Sequence, residues 1–61
     1  MKRFNYKGYW IECVRVISSS GVQHYAVIEL PAQEERLNTI YFPSEQEAED
    51  SAKEFIDKAL L

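Results

Sequence analysis

Cys13 and His24 are the sole cysteine and histidine of this chain, and together they are its one nucleophile–base combination. A thiol becomes a nucleophile when a base takes its proton and a third group holds the imidazole in place. If Ser18–Gly21 is a hairpin loop that puts Ile17 opposite Val22, Cys13 and His24 lie diagonally on neighbouring strands, about 7–8 Å apart. That is beyond direct hydrogen-bond reach, and no third group orients the ring. Cys13, following Ile11 on a strand that faces the helix, reads as a small buried hydrophobe. His24 reads as a strand-end residue near Arg15 with its ring partly in solvent. The second candidate is the acidic run Glu45, Glu47, Glu49 and Asp50. Calcium loops alternate oxygen ligands around a central glycine in a turn, whereas this run lies on a helix, with its side chains pointing several ways. Carboxylates at the positive end of a helix dipole explain it better.

The remaining chemistry is sparse. Gly8 and Gly21 are the only glycines, and neither opens the helix, so there is no phosphate-cradling loop. One cysteine excludes an internal disulfide, and one cysteine with one histidine does not complete a structural zinc site. Ser18–Ser20 lacks a base within a few residues and is read as a hairpin loop. No catalytic, cofactor or metal residue is assigned, and no small-molecule substrate is evident.

The elements that position these residues follow from pattern. Ala48, Ala52, Phe55, Ile56 and Ala59 fall on one helical face. Ser44 and Glu47 form a Ser-x-x-Glu start signal, in which each side chain bonds the other residue's backbone N–H. Pro43 bars the helix from running further back. Glu49 with Lys53 and Glu54 with Lys58 have the i,i+4 spacing of favourable ion pairs. Upstream, Tyr9 to Ile17 is dense in aromatic and β-branched residues and is predicted to be a strand. Val22 to Leu30 is the second strand, ended by Pro31, and Thr39–Ile40–Tyr41–Phe42 is a brief third. Pro31–Asn38 is an exposed, charged connection with room for a short helical turn. Phe4–Asn5–Tyr6 is a candidate fourth strand, and Lys7–Gly8 a tight turn or a bulge.

The expected fold is one small α+β domain over residues 1–61, with a three-stranded antiparallel meander and one C-terminal helix on one face (β-β-β-α). A chain of 61 residues buries only about 60% of its unfolded surface, so association is the natural staple. With Ile17 opposite Val22, the helix-facing side carries Tyr9, Ile11, Cys13, Ile17, Val22, Ala26, Ile28 and Leu30, and Ile40 and Phe42 can join it from the third strand. The other side carries Trp10, Val14, Val16, Tyr25, Val27 and Tyr41 among Glu12, Gln23, Glu29 and Thr39. A solvated sheet face should be mainly polar. One helix covers one face, so these six large side chains form an exposed patch of the kind that marks an interaction surface.

The element order resembles, in order alone, the small DNA-binding domain at the start of some phage-type integrases and the plant AP2 domain. Those families read the major groove with basic and aromatic residues on the sheet. This chain has acidic residues at such places, and no residue role carries over. Seven basic against ten acidic residues, net −3, disfavour a phosphate-tracking surface. No apolar run approaches the roughly 18 residues of a membrane span. The basic start, Lys2–Arg3, lacks the apolar stretch of a signal peptide, and a free thiol suits the cytoplasm. The functional expectation is a non-enzymatic module that binds a protein partner, or itself as a homodimer, through the six-residue face. The alternatives are a nucleic-acid binder using the same face and a phage or mobile-element product that occupies a host protein.

Overall fold

The structure is a computed structural model that describes residues 2–32 and 34–61. Four antiparallel strands run in the order β1 (Lys2–Tyr6), β2 (Tyr9–Ser18), β3 (Gly21–Leu30) and β4 (Glu35–Asn38). A helix follows, α-helical over α1 (Glu45–Phe55) and widened to a π-turn over Ile56–Leu60. This is the expected α+β fold, with the candidate strand at Phe4–Tyr6 present as β1.

Each connection has a local cause. Lys7 and Gly8 both take positive φ, 52° and 94°, as the two-residue turn that matches strand twist requires. Asn5 Oδ1 accepts from the Gly8 N–H at 3.0 Å and closes that turn. The β2–β3 register sets Ile17 opposite Val22, Cys13 opposite Ala26 and Ile11 opposite Ile28, as the side-chain alternation predicts.

The strand after Pro31 lies earlier than the sequence pattern places it. Pairing with β3 resumes at Glu35, so Glu35–Asn38 is strand rather than open loop, and Leu37 stands opposite Ile28 on the helix side. The β-rich stretch Thr39–Phe42 is instead a bulged continuation. Asn38 is opposite Val27 and Phe42 is opposite His24, which leaves one extra residue on this strand. Thr39 holds the bulge together. Its N–H donates to the Ala26 carbonyl and its Oγ1 accepts from the Ala26 N–H, each at 2.9 Å. One residue thus satisfies both backbone groups of Ala26. His24 and Phe42 then exchange a pair of backbone hydrogen bonds, at 2.7 and 2.8 Å.

Ser44 caps the helix with extended backbone, and its Oγ accepts from the Glu47 N–H at 3.2 Å. The return half of the box differs from expectation: the Ser44 hydroxyl donates to Glu47 Oε2 at 2.9 Å. Ala48, Ala52 and Ile56 are fully buried against Ile11, Cys13, Ala26 and Ile28. Two alanines in succession let the helix approach the sheet closely. The π-turn alters the last turn of the predicted face: Leu60 packs on the core and Ala59 is exposed. In a π-turn the repeat lengthens, so the fourth residue after Ile56 takes the inward position. Phe55, also expected inside, is 41% exposed.

The helix starts beside Phe42, at the level of His24, and runs toward the β1–β2 turn. Lys2 Nζ meets Glu49 Oε1 at 2.7 Å early in its course. Near its end, Tyr6 and Lys7 both bond Asp57. The β2–β3 hairpin extends the other way, beyond the helix, in a molecule 37 Å long and 20 Å by 16 Å across. Ile17 (71% exposed) and Val22 therefore lie outside the core, although the alternation puts them on the helix side, and Ile40, expected there too, is 74% exposed within the bulge.

Candidate functional site

Alternation along the strands sends the remaining side chains to the face away from the helix. In β2 these are Trp10, Glu12, Val14 and Val16, and in β3 they are Gln23, Tyr25, Val27 and Glu29. Arg3 and Asn5 of β1 flank them on one side, and Arg36 and Asn38 of β4 on the other. No helix lies over this face among the described residues. Trp10 is 37% and Tyr41 57% exposed, while Val14, Val16, Tyr25 and Val27 are half-buried by one another and their neighbours.

The face has two halves. Toward the hairpin tip it is apolar: Val14 stands opposite Tyr25 and Val16 opposite Gln23. The bulge delivers Tyr41 edge-on to Tyr25, with ring centroids 5.5 Å apart and planes at 81°. That T-shaped geometry places a positive ring edge against a negative ring face. Toward the β1–β2 turn it is aromatic and ionic. The Arg3 guanidinium lies 4.3 Å from the Trp10 ring centroid and reaches on to Glu29 Oε2 at 3.0 Å. One arginine thus spans three strands, stacked on Trp10 and tied to β3. Neither Glu12 nor Arg36 has an ion-pair partner among the described residues.

All six residues expected from the sequence to form the face are on one surface, with Tyr41 arriving by way of the bulge. Sequence reasoning missed Arg3, which covers part of Trp10. The stack spans the β1–β2 pair diagonally, and only the register of β1 reveals it.

The Cys13–His24 pairing has little chemical support in the geometry. Cys13 pairs with Ala26, and Arg15 with His24. Cys13 is 1% exposed, and burial pushes its thiol pKa up, with Glu45 and Glu49 adding to the effect. A nucleophilic thiol needs the opposite shift. His24 Nδ1 is buried without a hydrogen-bond partner among the described residues.

The acidic run is used structurally. Glu49 is buried and accepts from Lys2 at 2.7 Å and Lys53 at 2.9 Å. The Lys2 hydrogen bond, then that of Lys53, hold its carboxyl below the usual range. Asp57 is held down by Lys7 first and the Tyr6 hydroxyl second. Among the described residues no group of three or more His, Cys, Asp or Glu side chains is placed to hold a metal ion. No described helix is long and apolar enough to cross a membrane.

Comparison of the chain with protein-family models, with curated proteins and with solved structures finds no match.

Proposed function

We propose that this chain is a non-enzymatic interaction module that binds a protein, itself or another, through the outer sheet face. The observation that carries this reading is the contrast between the two faces. The helix covers the centre of one, while the other carries exposed Trp10 and Tyr41 beside half-buried Tyr25 and three half-buried valines, with no element over them among the described residues. A helix on each face, or polar outward residues, is the usual arrangement for a sheet that works alone. Tyr and Trp offer large contact area with few rotors to freeze, so they are the expected anchors. The Arg3–Glu29 pair borders the patch as a polar rim does.

A photo-crosslinking amino acid tests the proposal. Placed at Val14, on the open face, it should yield protein adducts in cells expressing the chain. Placed at Glu54, on the solvent side of the helix, it should yield few. Equal yields at the two positions, or adducts at Glu54 alone, would locate binding elsewhere.

A further inference from the structure

We propose that the partner of the outer face is a second copy of this chain, packed sheet on sheet about a two-fold axis; this rests on the reading above and gives the partner an identity. Three features of the face support a self-complementary contact. The first is charge. The chain carries −3 overall, and two copies repel at long range. The outer face is the exception, because Arg3 and Arg36 balance Glu12 and Glu29 there. A surface for a strongly basic or acidic partner would carry the opposite excess, whereas a surface without net charge meets its own copy without net repulsion.

The second feature is where the unpaired charges stand. Glu12 projects from β2, and Arg36 from β4 one cross-strand row away. Two-fold packing with the axis along the strands, between β2 and β3, lays β2 of each copy over β3 of the other. Glu12 of one copy then stands about 5 Å across and about 7 Å along from Arg36 of the second copy, measured in the plane of the sheet. Facing sheets pack about 10 Å apart, and a glutamate and an arginine reaching toward each other can span the gap. Symmetry makes the pair twice, and it seats Val14 of each copy over Tyr25 of the other.

The third feature is area. The two longer extents of the molecule, 37 Å and 20 Å, cap the face at roughly 700 Å², so nearly all of it must be covered to approach the roughly 800 Å² per partner of a standard interface. Burial on that scale also provides the staple that so small a chain otherwise lacks.

Sedimentation equilibrium on the full chain, over a wide concentration range, tests this. The wild type should show a monomer–dimer equilibrium. Glu12→Arg and Arg36→Glu should each weaken it by about tenfold, and the double reversal should restore it to within a few-fold, since only the two swaps together rebuild the pair with opposite polarity. Circular dichroism of each variant verifies folding. A wild type that stays monomeric at the highest concentration would overturn the second copy while leaving the face free for a foreign protein. A dimer indifferent to both reversals and to Tyr25→Arg would overturn this arrangement and the outer face as the binding surface together.

Discussion

Residues 10 and 11 are adjacent in sequence and opposite in fate, and substituting each with alanine tests the assignment of the faces. Ile11 is fully buried under the helix, whereas Trp10 keeps 37% of its surface in water. Ile11→Ala removes three carbons from a closed site. At roughly 0.8 kcal/mol per methylene, plus the cavity left behind, the cost is about 3–4 kcal/mol. Trp10→Ala removes a much larger side chain, yet its defined contact is the exposed Arg3 stack, worth about 0.5–1 kcal/mol. More than half of the ring's surface is also covered by its neighbours, which brings the cost to about 2–3 kcal/mol. A chain of this size has roughly 3–9 kcal/mol in total, so the first change takes the larger share of it although it removes the smaller side chain. Urea titration followed by far-UV circular dichroism, at low micromolar concentration where association contributes little, reads both. Fluorescence cannot serve, because Trp10 is the only tryptophan. Equal costs, or a larger cost for Trp10→Ala, would refute the reasoning, because side-chain size would then outweigh the face on which each residue lies.

Further outcomes follow from the bulge, the ion pairs and the thiol. Thr39→Val leaves the Ala26 N–H without an acceptor and should cost about 1–2 kcal/mol in urea unfolding, while Thr39→Ser should retain most of the stability. Glu49 and Asp57 have carboxyl pKa values lowered in the fold. Their contribution is therefore complete above the ordinary carboxylate range, near about 4, and is lost as pH falls through the folded values. Thermal melts from pH 6 to pH 2 should show this decline, and Glu49→Gln should flatten it. Cys13 should resist a disulfide reagent near neutral pH in the native protein and react quickly once urea unfolds it. Rapid native labelling would contradict its burial and its raised pKa.

Sequence pattern disclosed the parts of the fold that local chemistry dictates. Ala48, Ala52 and Ile56 repeat at helical spacing, Ser44 marks the start, and the Ser18–Gly21 loop sets a register that sorts every β2 and β3 side chain to a face. Other parts depend on contacts distant in sequence. Thr39–Phe42 has the composition of a strand, but the short Pro31–Glu34 connection makes pairing resume at Glu35 and pushes the extra residue into a bulge. Ile17 and Val22 have inward parity, yet they stand beyond the helix, whose start is tied to the level of His24 by Phe42. Ala59 illustrates the same limit, since a π-turn alters helical phase with no mark in the residues themselves. Within the candidate site, the aromatic and valine positions follow from alternation alone. The Arg3 stack on Trp10 requires the pairing of β1 as well.

Because Trp10 is the only tryptophan and sits on the open face, its fluorescence tests the central claim most directly. Acrylamide quenching should be pronounced in dilute protein, and should fall, with a blue shift of emission, as concentration rises and a second copy covers the ring. Quenching that stays weak from nanomolar to millimolar protein would contradict the open face itself, and quenching that stays strong throughout would contradict its occupation by a second copy.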